Sequence, residues 1–238
     1  DSLPRYTKMA NKLGVTIQDV YKASTLYYQQ GLDTDKAMAA TQETLKMGRI
    51  ANISGAEATD MMTAALRGFN MEVNATNAQR VNDVYSKLAA ISASDTKELG
   101  TAMSKTASIA KSAGMDLETT TALLAQGIET TRESPENIGT ALKTIIARFQ
   151  ELKKNPNSIS SVGGERLDYN KVDTALKTIG INMIDQKGNF KNTGDIIGEV
   201  SKKWNTLSQA QQRYIATTVA GSRQQSRFIA MVSNNARL

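Results

Sequence analysis

Glu133 and Ser134 stand together in "TTRESPENIGTALKTIIARF" (residues 130–149), just ahead of an apolar-periodic stretch. A Glu-Ser pair in an all-helical chain can supply the acid of a lysozyme-like site, where a carboxyl of raised pKa protonates a glycosidic oxygen. That chemistry also needs a substrate cleft with aromatic shelves, and here no aromatic residue follows before Phe149. Ser134-Pro135-Glu136 reads more simply as a helix start. A hydroxyl caps the first turn, Pro takes the first helical position where its missing N–H costs nothing, and Glu136 complements the dipole. The pair is expected to be a cap.

Histidine and cysteine are both absent, which removes imidazole bases, thiolate nucleophiles, disulfides and the usual zinc ligands. A Ser-His-Asp triad is excluded, and the sequence offers no catalytic residue, no cofactor site and no metal site. The paired glycines of "SVGGER" (161–166) invite comparison with a phosphate loop. The Walker spacing and a preceding strand are both missing, so a flexible loop is expected. Met61, Met62, Met71, Met103 and Met115 fall at helical spacing and are expected to fill the core.

Charge is the remaining chemical signal. Of a formal net charge of +6, residues 1–154 hold +1 (18 basic, 17 acidic) and residues 155–238 hold +5 (11 basic, 6 acidic). From Ser201 onward there are Lys202, Lys203, Arg213, Arg223, Arg227 and Arg237 and no acid at all. A block of one sign sets a local positive field. Arg223 and Arg227 lie four residues apart on one helix face, beside Phe228, Ile229 and Val232. They read either as a solvated amphipathic face or as a contact for phosphate, lipid headgroups or an acidic protein wall. Lys202, Lys203, Arg213, Arg223 and Arg227 are the candidate anion or partner contacts. No helix-turn-helix or finger signature accompanies them, so base readout is weakly supported.

The elements that must position these residues are helical. Ile138, Leu142, Ile145, Phe149 and Leu152 are spaced 4, 3, 4, 3, which places them on one stripe of a helix. Ala58, Met62, Ala65 and Phe69 form a weaker stripe. Val81, Val84, Leu88 and Ile91 repeat the pattern, as do Ile197, Val200, Trp204 and Leu207. None runs for four heptads, so a long coiled coil is not expected. Thr16 with Asp19, Ser54 with Glu57, and Ser208 with Gln211 have capping-box spacing. Helices are expected near 4–12, 16–30, 34–52, 55–69, 76–92, 95–113, 117–132 and 135–154. A second group follows near 171–179, 193–206, 209–220 and 223–235.

Aromatics make up only 5% of the chain, which suggests thin helix-on-helix packing with Ala at the contacts. "KLGVTIQDV" (12–20) and "SAGMDLETT" (112–120) echo each other, each with a Gly to stop one helix and a Thr or Asp to cap the next. Duplication and simple reuse of the same turn chemistry both account for this. "KNPNSISSVGGERLDYN" (154–170) is rich in Asn, Ser and Gly and coincides with the change in charge. The expected organisation is a helical bundle over 1–154, a loop or linker over 155–170, and a smaller basic helical subdomain over 171–238. "INMIDQKGNF" (181–190) alternates around Lys187-Gly188 and predicts the one small β-hairpin. The fold class is all-α, a multi-helix bundle of short helices. No run of about 18 apolar residues suits a membrane span, and "DSLPRYTKMANKLG" lacks the apolar core of a signal peptide.

The run 171–234 resembles the core region of tail tape measure proteins from long-tailed phages and prophages. The matching features are Ala175-Leu176 before Gly180-Ile181, then Asp185-Gln-Lys-Gly188-Asn-Phe190, Trp204-Asn-Thr-Leu207-Ser208, and Ala220-Gly221-Ser-Arg223-Gln-Gln-Ser-Arg227. "GMDLETTTALLAQGIETTRESPENIGTALKTIIARF" (114–149) and "GAEATDMMTAALRGFNM" (55–71) fit as well. The resemblance implies a homo-oligomeric structural protein that lies in the tail tube lumen or at the tail tip. It implies a role in tube length and in genome ejection, with tube, tip and baseplate proteins and tail assembly chaperones as partners. DNA and the host inner membrane are further partners to consider, and synthesis in the bacterial host cytoplasm is implied. Two alternatives stand beside it: a membrane-active channel module of amphipathic helices, and a peptidoglycan-cleaving domain using Glu133 or Glu136. A ruler is expected to be a rod, yet the caps and glycines here predict a folded module rather than a shaft.

Overall fold

Short-range capping chemistry cuts the chain into helices at the places its sequence marks. The computed structural model describes residues 3–234. The first half contains α1 (Leu3–Leu13), α2 (Ile17–Gln29), α3 (Thr34–Ala51), α4 (Gly55–Gly68) and α5 (Ala75–Ile91). It continues with α6 (Thr96–Ser112), α7 (Leu117–Thr131) and α8 (Pro135–Lys154). After two strands, β1 (Ile159–Val162) and β2 (Glu165–Asp168), come α9 (Tyr169–Thr178), α10 (Thr193–Trp204), α11 (Gln209–Ala220) and α12 (Gln225–Val232).

Thr16 and Ser208 form full capping boxes with Asp19 and Gln211, and the Ser54 hydroxyl accepts the Glu57 N–H. Asp116 caps α7 just as Thr16 caps α2, each following a left-handed glycine, Gly114 or Gly14. The echo between 12–20 and 112–120 thus extends to the turn geometry.

The apolar stripes face inward. All five residues of the Ile138–Leu152 stripe are buried, as are Ala58, Met62, Ala65 and Phe69. Met61, Met103 and Met115 are buried too, and Met71 packs against the same cluster. Ile91 departs from its stripe: it is the last residue of α5, 52% exposed. One cluster runs from Tyr27 in α2 to Val232 in α12, and Phe149, Trp204 and Phe228 are among its largest members. A second, smaller cluster joins Tyr6, Met9, Ala10 and Leu13 of α1 to Val20, Ala23, Met38 and Leu45. Small residues let backbones touch: a Cβ on Gly139 of α8 would stand 2.4 Å from the Ala102 carbonyl oxygen of α6. The accessible surface, 11204 Å², is close to the roughly 10,500 Å² of a compact chain of this mass.

The hairpin lies elsewhere than expected. β1 and β2 pair antiparallel within 155–170, the stretch read as loop or linker, with Val162 opposite Glu165 across the two-residue turn Gly163-Gly164. Both glycines have positive φ, 62° and 77°, as a type I′ turn requires. At 181–190 only a single bridge forms, Ile184 to Phe190. The apolar alternation there has another cause: Ile181 and Met183 are wholly buried in the main cluster.

Candidate functional site

Glu133 follows the left-handed C-cap residue Arg132 of α7 and precedes Ser134, whose hydroxyl accepts the Asn137 N–H and so caps α8. The Glu133 carboxylate is held by the guanidinium of Arg227 on α12. Arg227 Nε donates to both oxygens at 3.1 and 2.9 Å, and Nη2 donates to Oε2 at 2.6 Å. Arg227 Nη1 donates to Gln224 Oε1 at 2.8 Å. This charge-assisted fork ties the α7–α8 turn to α12.

A larger network sits where α11 turns into α12. Arg148 of α8 is 2% exposed, and its guanidinium reaches the carbonyl end of α11. Nε donates to Val219 O at 2.7 Å and Nη2 to Thr218 O at 3.2 Å, so a buried cation satisfies two of the helix's last carbonyls. Burial lowers the Arg148 pKa, and the nearby Glu165 carboxylate opposes that shift. Glu165, first residue of β2, accepts from Ser222 N at 2.9 Å, from the Ser222 hydroxyl, and from Arg223 N at 3.3 Å. Its own burial would raise its pKa, but the Ser222 and Arg223 hydrogen bonds and the Arg148 charge outweigh this, and it lies below its ordinary value. Arg223 Nη1 reaches back to Gly163 O in the hairpin turn at 3.0 Å.

Gly221 makes the corner possible. Its φ of 82° and ψ of 165° lie in a region open essentially to glycine alone, and a Cβ there would meet Glu165 Oε2 at 2.5 Å. The segment Ala220–Arg227 thus supplies a turn, a carboxylate anchor and two arginine staples. Three sequence features that looked unrelated, Glu133, "SVGGER" and the Arg223/Arg227 face, meet around this corner.

The remaining basic candidates divide. Lys203 Nζ donates to Ile179 O at 2.7 Å, at the C-cap of α9. Lys202 is exposed on the wall of a groove of about 500 Å³, with Asp116, Asp185, Lys191, Asp195 and Glu199 among its other lining residues. Arg213 is exposed on α11, with no ion pair among the described residues. Arg237 lies outside the described residues. Within the groove, Lys191 pairs with Glu199 at 2.7 Å, and Asp185 accepts the N–H groups of Lys187 and Asn189.

A pattern links these bonds. Arg148 holds the end of α11, Gln212 Nε2 donates to Trp204 O at the end of α10, and Ser201 Oγ donates to Val232 O at the end of α12. With Lys203 on Ile179, each of the last four helices has its carbonyl end met by a side chain from another element. Sequence reading missed Arg148 and Glu165. The signal was a charged residue set between Ile145 and Phe149 on a buried stripe, and a carboxylate directly after a Gly-Gly turn.

Fold and network define a predominantly helical module closed by a charged corner. The chain belongs to the phage-related minor tail protein family, whose profile matches residues 6–221. It is similar to the probable tape measure protein of Escherichia phage P2, 25% identical over 222 residues, covering 90% of this chain and 25% of that protein. It is also similar to the tape measure protein of Pneumococcus phage Dp-1, 22% identical over 202 residues, covering 85% and 16%. The chain therefore spans a quarter or less of the length of these curated relatives. No solved structure matches it.

Proposed function

We propose that this chain is a folded structural module of a tape measure protein, serving tail assembly and genome delivery from one end of the tail tube rather than forming the ruler shaft. The observation that carries this reading is helix length. The longest helix, α8, has 20 residues, about 30 Å, whereas the chain as one continuous helix would reach about 350 Å. The internal capping of α9 to α12 supports the same reading, because those helix ends are spent on the fold. In this account the module is a virion component and not an enzyme. It acts with further copies of the protein, with tube and tail-tip proteins and with assembly chaperones, and Lys202 and Arg213 face an acidic wall or DNA. Among the described residues no helix is long and apolar enough to cross a membrane.

Tail length separates a module from a ruler. In a phage carrying this protein, deletion of residues 55–154 in frame is expected to leave tails of normal length on particles that fail to deliver DNA. Tails about 150 Å shorter, at about 1.5 Å per deleted residue, would make the region part of the ruler and overturn the proposal. Loss of tails altogether would place its role earlier, in the start of tube assembly.

A further inference from the structure

A guanidinium carries N–H donors on all three nitrogens and no acceptor, so a buried arginine needs a partner at each of them. Arg148 is buried, and two of its nitrogens are answered by backbone carbonyls. Nε donates to Val219 O at 2.7 Å, and Nη2 donates to Thr218 O at 3.2 Å and to Arg166 O at 3.5 Å. Nη1 differs. It is shut off from solvent and has no hydrogen-bond partner among the described residues. A charged donor in that position is costly to bury.

The carboxylate whose charge acts on Arg148 is Glu165, and its two oxygens are unevenly used. Oε1 accepts from Ser222 N at 2.9 Å, from the Ser222 hydroxyl and from Arg223 N at 3.3 Å. Oε2 is left with Arg223 N at 3.4 Å. Arg148 and Glu165 feel each other's charge but make no direct ion pair. Gly221 shows where their free atoms meet. The point at which a side chain on Gly221 would begin is 2.5 Å from Glu165 Oε2 and 3.4 Å from Arg148 Nη1. The two atoms are thus no further apart than those distances laid end to end, and further apart than a direct pair. One water with two ordinary hydrogen bonds, of about 2.8 to 3.0 Å each, spans that interval.

We propose that the Gly221 corner binds one buried water, which accepts from Arg148 Nη1 and donates to Glu165 Oε2. The chemistry selects the ligand. A cation would face the guanidinium and an anion the carboxylate, whereas water accepts on one side and donates on the other. The site gives Gly221 a second reason to lack a side chain, because a methyl group would take the water's place as well as strain the backbone. The water joins α8, β2 and the α11–α12 corner, and it does not depend on the tail assignment.

The test is a crystal structure of the 238-residue chain at a resolution that shows ordered water, with water-selective NOE and ROE spectra of the labelled chain in solution. A density peak within about 3.2 Å of both Arg148 Nη1 and Glu165 Oε2 is expected. Cross-peaks from water to the Gly221 amide and α protons are expected, with opposite signs in the two spectra, as a water held in place gives. The Ser222 hydroxyl lies close by and relays such peaks by exchange, so they must persist in Ser222→Ala, which leaves Nη1 and Oε2 untouched. A direct Arg148–Glu165 ion pair in the density, or protein atoms filling the corner with no peak between the two side chains, would overturn the proposal. Cross-peaks with the sign of surface hydration, or cross-peaks lost in Ser222→Ala, would overturn it as well.

Discussion

Gly221 concentrates the residue-scale argument, because backbone strain and a steric clash act together there. At φ 82° and ψ 165°, any Cβ is strained and also pressed on the Glu165 carboxylate. Gly221→Ala is expected to destabilise the chain by about 3 kcal/mol, read as a lower urea midpoint with an unchanged slope. Glu165 adds a pH signature. Its folded carboxyl ionises below its ordinary value of 4.5, burial being outweighed by the Ser222 and Arg223 hydrogen bonds. The unfolded chain therefore binds the proton first as pH falls. The stabilisation is complete above about pH 4.5 and is lost as pH drops through the folded value. Glu165→Gln is expected to flatten that acid limb in pH-dependent denaturation and to leave the neutral-to-alkaline limb with its original slope. An unchanged acid limb would mean that the Glu165 hydrogen bonds do not distinguish folded from unfolded chain.

At the scale of elements, the hairpin turn is the sensitive joint. Gly163 and Gly164 both need positive φ, so replacing both by Ala is expected to cost about 1 kcal/mol at each position, while Asn-Gly is expected to be tolerated. Thermal melts of the two variants would separate these outcomes. This hairpin also shows what sequence reading can reach. The helices were legible because their starts are local: Thr16 with Asp19, Ser134 with Pro135 and Ser208 with Gln211 each act within one turn. The strands were not, because four-residue strands in a Ser- and Asn-rich stretch are held by distant groups: Arg148 at the outer edge of β2 and the core around Leu167. The Gly-Gly pair is the available signal, and paired glycines suit a flexible loop as well as a type I′ turn. Conversely, the alternation at 181–190 reflects burial of Ile181 and Met183 beside a single antiparallel bridge, Ile184 to Phe190, and not a full hairpin. The site was legible only as residue types. Arg227 meets Glu133 across 94 positions and Glu165 meets Ser222 across 57, and such pairings follow from tertiary packing alone.

At the scale of the whole molecule, the claim is that this family member is folded back on itself rather than drawn out. The main cluster joins α2 to α12, and the staples of Arg148, Glu165 and Arg227 close the C-terminal helices onto α8 and the α7–α8 turn. A module of this kind spans a short distance whatever its residue count. The membership of the phage-related minor tail protein family gives the tail context, and the helix lengths give the shape. The most direct measurement is small-angle X-ray scattering of the purified 238-residue chain at neutral pH. The account predicts a radius of gyration of about 18 Å, the value for a compact chain of this length. A value near 100 Å, as for a continuous helical rod of about 1.5 Å per residue, would contradict it.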